Sequence, residues 1–157
     1  MKRIESFSVD HLKLLPGVYE SRIDSAGADC PVTTYDVRIT RPNFEPVMNT
    51  GEIHTIEHLG ATYLRNREDI KDRVIYWGPM GCRTGFYFIL AGRTPVPEIN
   101  GLMKELFSFV AGFEGRIPGA SPEECGNYSD MDLEGAKKRA EKYVEVLNGQ
   151  REFTYQK

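Results

Sequence analysis

Alternating apolar and polar residues predict a β-sheet made by the first part of the chain. The clearest strand is 32–40, where β-branched residues are frequent and where Asp36 and Arg38 point to the side opposite the apolar face. Further strand candidates lie at 18–23, 73–77 and 86–91. Because short loops join these segments, the pattern predicts an antiparallel sheet of about four strands.

Apolar residues spaced three or four apart predict three helices. The first, 49–66, begins at Asn49, whose side chain can cap it while Glu52 completes a capping-box pair. The second, 95–112, and the third, 131–149, each carry one apolar face and end at a glycine. Strands mixed with about three helices predict an α+β fold in which the helices pack against the sheet.

Length, charge and cysteine content limit the class of protein. A chain of 157 residues with 40% hydrophobic content can bury one core, so we expect a single domain, 1–157. The net charge of -3 and the scattered basic residues give no footprint for nucleic acid or an anionic membrane. The sequence has no apolar run near the roughly 20 residues that a bilayer needs, and its first residues lack the apolar core of a signal peptide. Three widely spaced cysteines indicate thiols in a reducing, cytoplasmic compartment.

The predicted first helix carries a candidate metal site. His54, Glu57 and His58 project from one side of this helix, beside its apolar stripe, and the two histidines are one turn apart. The order H-x-x-E-H is the inverted form of a metal helix in which the carboxylate carries protons and the histidines bind the ion. The alternative is a pair of surface or hydrogen-bonded histidines. An unpaired imidazole beside an apolar stripe would be costly, which favours the metal site.

Two cysteines are candidates for the chemistry around this helix. A catalytic metal usually has three protein ligands, and Cys125, in the turn-rich segment 121–127, could supply the third. The alternative for Cys125 is a small buried hydrophobic residue. Cys82 lies in the glycine-rich segment 78–85 next to Arg83, whose charge would favour a thiolate, although an inert thiol in a structural turn is the alternative.

Short motifs spread over nearly the whole chain are specific when they occur in this order. They are Glu5-Ser6-Phe7, Asp10-His11, Asp36-Val37-Arg38, His54-Thr55-Ile56-Glu57-His58, Pro79-Met80-Gly81-Cys82-Arg83-Thr84-Gly85, Cys125-Gly126-Asn127 and Asp132-Leu133-Glu134-Gly135-Ala136-Lys137. In these motifs the chain resembles the S-ribosylhomocysteine lyases, the LuxS autoinducer-2 synthases. The resemblance implies that the metal ligands are His54, His58 and Cys125. It implies that the proton-transferring pair is Cys82 and Glu57, and that the substrate pocket includes Ser6, His11 and Arg38.

The resemblance also implies an activity, a cofactor and an assembly. The activity is cleavage of the small molecule S-ribosylhomocysteine to homocysteine and 4,5-dihydroxy-2,3-pentanedione, the autoinducer-2 precursor, by carbonyl migration and β-elimination. The cofactor is one divalent metal per subunit, with ferrous iron as the native ion of the family and zinc or cobalt as alternatives. The family forms homodimers with both active sites at the interface, where amino-terminal residues of one subunit help to complete the pocket of the other.

Two residues depart from the family pattern or have no role in it. Tyr76 occupies a position, six residues before the reactive cysteine, that is acidic in many relatives, so contacts to ribose hydroxyls are expected to differ. Cys30 matches no functional position and is assigned a packing or incidental role. Two rival functions fit the metal helix alone: an inverted-motif metallopeptidase, and a non-catalytic module whose ion is fully coordinated by protein.

Overall fold

The computed structural model describes residues 9–27 and 29–155, and in these four strands form one antiparallel sheet. The strands are β1 (Gly17–Ser25), β2 (Pro31–Arg38), β3 (Val74–Pro79) and β4 (Gly85–Ala91). Their spatial order is β1-β2-β4-β3, so the β3–β4 hairpin is joined to β2 through β4. The predicted number and direction of the strands are confirmed, and β1 and β3 extend beyond the predicted segments.

Three helices follow the predicted pattern: α1 (Thr50–Arg65), α2 (Val96–Ala111) and α3 (Leu133–Gly149). The predicted capping box of α1 is confirmed. The backbone nitrogen of Glu52 donates to the side-chain oxygen of Asn49 at 2.7 Å, and the backbone nitrogen of Asn49 donates to the Glu52 carboxylate at 2.9 Å. None of the helices within the described ranges is both long and apolar enough to cross a membrane. The described residues form one α+β domain.

The core lies between one face of the sheet and the three helices, and Trp77 of β3 joins the two layers. Its indole stacks on Phe86 with ring centroids 4.7 Å apart, and its Nε1 donates to the carbonyl oxygen of Ile56 in α1 at 3.3 Å. A Cβ atom on Gly60 would lie 2.4 Å from the same Nε1, so α1 can approach the ring this closely only with glycine there. These contacts fix α1, and with it the predicted metal site, against the edge of the sheet.

The opposite face of the sheet is partly covered by the carboxyl-terminal segment 150–155. Asp36 and Arg38 share this face as predicted, but each is only 3% exposed. The segment is fastened to β1, because the Gln150 amide bonds the backbone nitrogen and oxygen of Val18, both at 2.9 Å. Two charged side chains are therefore buried on the face of the sheet that does not contact the helices.

Candidate metal centre

His54, His58 and Cys125 form a group of three donors that could hold a metal ion. Their candidate ligand atoms all lie within 4.8 Å of one another, and the Cys125 sulfur is 3.3 Å from Nε2 of His54. Both imidazoles extend from α1, whereas the thiol comes from the loop between α2 and α3. The structure thus places the predicted third donor beside the predicted histidine pair.

The outer nitrogen of each imidazole has its own partner. Nδ1 of His54 lies 2.5 Å from Oδ1 of Asp130, and Nδ1 of His58 lies 2.8 Å from the carbonyl oxygen of Pro118. A carbonyl oxygen can only accept, so Nδ1 of His58 carries the proton, and a carboxylate imposes the same tautomer on His54. Both Nε2 lone pairs are then left for a metal, which is the usual arrangement of histidine ligands and their hydrogen-bond partners.

The loop that carries Cys125 is held against the first turns of α1. The backbone nitrogen of Asp132 donates to the Gly51 carbonyl oxygen at 3.2 Å and to Oγ1 of Thr55 at 2.9 Å. A Cβ atom on Gly51 would lie 2.4 Å from the Asp130 carbonyl oxygen, so this close approach requires glycine. The position of the thiol therefore depends on the packing between the loop and the helix.

The donor set fits a borderline-soft divalent ion. Two imidazole nitrogens and one thiolate suit zinc, iron or cobalt better than magnesium or calcium, which prefer oxygen ligands. Within the described part of the chain the group contains these three donors, which is the number typical of a catalytic site with an open coordination position. Glu57 lies half-buried on the same helix between the two histidines in sequence and outside the donor group, and its predicted role in proton transfer stays a prediction.

A second group surrounds the sulfur of Cys82, which lies in the turn between β3 and β4. Nη1 of Arg38 donates to Oγ1 of Thr84 at 2.6 Å, and this hydroxyl lies 3.1 Å from the Cys82 sulfur. The hydroxyl proton of Thr84 is therefore available to the sulfur, and Nη1 of Arg38 also reaches the sulfur at 3.8 Å. Burial raises the pKa of Cys82, but the hydrogen bonds from Thr84 and the charge of Arg38 outweigh it, so its pKa lies below the ordinary thiol value.

The cation beside this thiol is held by an acidic residue on the same strand. Nε and Nη2 of Arg38 donate to the two carboxylate oxygens of Asp36 at 3.1 and 2.6 Å. Burial disfavours the charged guanidinium, but Asp36 more than compensates, so the pKa of Arg38 is raised and the side chain stays charged. The positive charge that favours the thiolate is thus that of Arg38. The sequence suggested Arg83, the residue after Cys82, but Arg83 is exposed.

The structure locates most of the other predicted residues. His11 and Arg38 line one small cavity, while Ser6 lies outside the described residues, so their predicted role in binding substrate stays a prediction. Tyr76 is 44% exposed on β3. Cys30 is exposed at the β1–β2 connection and has a free thiol, which favours the incidental role over the packing role.

Three residues of the two groups were not identified from the sequence. Asp36 carried a signal, since it is two positions before Arg38 and shares its side of the strand. Thr84 is also two residues from Cys82, but a threonine in a turn is too common to indicate a contact with the sulfur. Asp130 is 76 residues from His54, and no local pattern predicts a contact over that separation.

The metal group and the thiol group are separate in the described structure. The backbone nitrogen of Met48, just before α1, donates to the Arg83 carbonyl oxygen at 3.1 Å, which ties the turn containing Cys82 to the start of the metal helix. Within residues 9–27 and 29–155, no hydrogen bond or ion pair joins side chains of one group to side chains of the other. Each group is therefore held by its own hydrogen bonds, and Cys82 is not one of the three donors of the metal group.

Comparison with known proteins gives a consistent family. The sequence model of the S-Ribosylhomocysteinase (LuxS) family matches residues 4–153. An S-ribosylhomocysteine lyase of Finegoldia magna is 57% identical over 148 residues, which cover 94% of this chain and 93% of the relative. Lyases with the same name from Clostridium beijerinckii and Phocaeicola vulgatus are 57% and 52% identical, over 92% and 94% of this chain and 90% and 91% of their own lengths.

Proposed function

Because the chain belongs to the S-ribosylhomocysteinase (LuxS) family, we propose that it cleaves S-ribosylhomocysteine to homocysteine and 4,5-dihydroxy-2,3-pentanedione, the autoinducer-2 precursor. The observation that carries the proposal is the convergence of His54, His58 and Cys125, with donor atoms within 4.8 Å, in a chain of this family. The protein is thus a carbon–sulfur lyase that depends on a metal.

His54, His58 and Cys125 would hold one divalent ion per subunit. When bound, the ion supplies Lewis-acid polarisation of a sugar carbonyl, which makes the neighbouring carbon protons more acidic. The proposed native ion is ferrous iron, and zinc or cobalt would fit the same two nitrogens and one sulfur. A cytoplasmic location belongs to the same proposal, because all three cysteines are free and a thiolate ligand persists in a reducing compartment.

Cys82 and Glu57 are proposed to move the protons of the reaction. The sulfur of the substrate is remote from the aldehyde carbon, so the carbonyl must migrate from C1 to C2 and then to C3 before the sulfur can leave. In each migration one proton leaves a carbon and one is delivered to the preceding carbon, which needs a base and an acid at different points around the sugar. Loss of the C4 proton then breaks the C5–sulfur bond, and the departing homocysteine sulfur takes a proton. The lowered pKa of Cys82 supports its role as the base.

The substrate pocket is proposed to include Ser6, His11 and Arg38, and to lie at the interface of a homodimer. This assembly is supported by the placement of Cys82 outside the group of donors that contains His58, because the proposed reaction needs the thiol and the metal at one sugar. Mixing two inactive variants tests it. Neither His11→Ala nor His58→Ala should be active alone, whereas mixed dimers should regain part of the activity, because one of their two sites would receive an intact His11 and an intact His58 from different subunits. Inactivity of verified mixed dimers would contradict the shared site.

One assay distinguishes the proposed function from its rivals. Protein metallated under anaerobic conditions is given S-ribosylhomocysteine, and newly released thiol is titrated, with a peptide substrate as the control. We expect stoichiometric homocysteine and no peptide cleavage. Peptide cleavage without thiol release would instead identify a metallopeptidase, and inactivity on both substrates would favour a non-catalytic metal module.

The proposed role of Glu57 has its own test. Glu57→Gln removes the exchangeable carboxylate proton while the shape of the side chain is kept, so the variant should retain metal and lose turnover. Because Glu57 is outside the group of donors, metal content separates this effect from loss of the ion. Near-normal homocysteine release by the metallated variant would refute the proton-transfer role.

A further inference from the structure

The carboxyl-terminal segment 150–155 ends in a contact with the buried ion pair beside the thiol. The segment contains no helix or strand, yet it is fixed at both ends. At its start, Gln150 bonds the backbone of Val18 and accepts from Nδ2 of Asn100 at 2.9 Å. At its end, the Tyr155 ring stacks on Tyr19, with centroids 5.1 Å apart and an interplanar angle of 24°. The segment is thus a defined part of the fold.

The hydroxyl of Tyr155 begins a continuous series of polar contacts that ends at the thiol. It donates to Oδ2 of Asp36 at 3.1 Å, and the same carboxylate holds Arg38 through two bonds. Arg38 in turn donates to Thr84 and reaches the Cys82 sulfur. Each donor and acceptor along this series is matched, so a change at Tyr155 alters the charge and the position of the groups that follow.

We infer that Tyr155 is a positioning residue, because its hydroxyl fixes the Asp36 carboxylate that holds Arg38 beside the reactive thiol. The inference rests on the proposed function only in treating that thiol as catalytic. The family model matches residues 4–153, so Tyr155 lies outside the matched region. The match to the family model includes the start of the carboxyl-terminal segment and ends two residues before Tyr155.

The hydroxyl is suited to this role because it remains neutral. Burial, and then the charge of Asp36, raise the pKa of Tyr155, so the group keeps its proton and acts as a donor. Ser21 also hydrogen-bonds this hydroxyl, and Tyr87 and His11 line the same cavity. A donor to Asp36 offsets part of the negative charge of the carboxylate, so more of the positive potential of Arg38 reaches the sulfur.

Alkylation of Cys82 measures the effect without relying on turnover. Metallated protein without substrate is treated with iodoacetamide over a range of pH, and modification of the Cys82 peptide is followed by mass spectrometry. Loss of the hydroxyl in Tyr155→Phe should raise the pH midpoint of alkylation by about 0.3 to 0.5 units, which lowers the thiolate fraction at neutral pH about two- to threefold. Tyr155→Ala, which also admits water to the ion pair, should raise it by about one unit.

The control is Tyr143→Phe, which removes another buried tyrosine hydroxyl. Tyr143 donates to the Gly17 carbonyl oxygen at 2.8 Å and has no hydrogen bond to Asp36. Its variant should lower the thermal midpoint and leave the pH midpoint of Cys82 unchanged. Equal shifts from both Phe variants, or an unchanged midpoint in both Tyr155 variants, would overturn the inference. If the wild type releases no homocysteine, the proposed function fails while the alkylation comparison still decides the role of Tyr155.

Discussion

We predict that the contact between His54 and Asp130 contributes measurably to the affinity of the site for a metal ion. Asp130→Asn keeps the size of the side chain but removes its charge. Nδ1 of His54 is 2.5 Å from the carboxylate, and the two side chains are 18% and 31% exposed, so water screens the charge only in part. A hydrogen bond to a charged group contributes about 1.5 to 3 kcal/mol, and a neutral amide oxygen would restore about 0.5 to 1.5 kcal/mol of it. The net loss is about 1 to 2 kcal/mol, or roughly 5- to 30-fold in affinity.

Cobalt binding provides the assay. The apoprotein is titrated with Co²⁺ in competition with a chelator of known affinity, and the thiolate-to-cobalt absorption band reports occupancy of the site. Glu123→Gln is a matched control, because Glu123 is exposed in the same loop and the substitution removes the same charge. We expect the control to bind cobalt within twofold of the wild type. The reasoning is refuted if Asp130→Asn also stays within twofold, or if both variants lose affinity equally.

Three further predictions concern the thiols and the packing of α1. Cys125→Ala should lose bound metal during dialysis against a chelator while Cys82→Ala retains it; metal analysis with the opposite result would exchange the two assignments. The lowered pKa of Cys82 means that its thiolate persists to lower pH than that of an ordinary cysteine, so the pH midpoint of its alkylation should lie below that of a cysteine in an unstructured peptide measured in the same way; an equal or higher midpoint would contradict the effect of Thr84 and Arg38. Gly60→Ala should lower the free energy of unfolding, measured in urea, by about 1 to 3 kcal/mol, because the new Cβ atom would meet the indole ring of Trp77. The control is Gly101→Ala, whose Cβ atom would have no neighbouring atom within 4 Å and which should raise the free energy of unfolding by about 0.5 to 1 kcal/mol. Equal effects of the two variants would refute the steric argument.

The features that the sequence predicted well depend on local spacing. The capping box at Asn49 and the orientation of His54 and His58 follow from residues three or four apart on one helix, where side chains necessarily meet. The strand face shared by Asp36 and Arg38 follows in the same way from a period of two. Short-range geometry therefore predicted that His54 and His58 lie together and that Asp36 and Arg38 share one face of the strand.

The remaining features depend on contacts between distant segments. Cys125 reaches the histidines only because its loop rests on Gly51, and Asp130 becomes a partner of His54 through the same packing. Burial of Asp36 was also not predictable, since alternation marks its face as polar and the segment that covers it lies 119 residues away at Tyr155. Such contacts are decided by how the elements assemble, and no local pattern records them.

The two groups also differ in what fixes their charge. In the metal group, one backbone carbonyl and one carboxylate accept from the Nδ1 atoms of the two imidazoles. Because an imidazole binds an ion through an unprotonated nitrogen, this group depends on the correct tautomers. The thiol group is held by a buried ion pair, whose guanidinium stays charged at any pH at which the protein functions. Because Asp36 and Arg38 lie on the side of β2 away from the helices, the thiol is supported from the face of the sheet opposite the core. If both groups act on one sugar, as proposed, the proposed homodimer would have to bring the thiol on this face and the metal group on α1 to the same pocket.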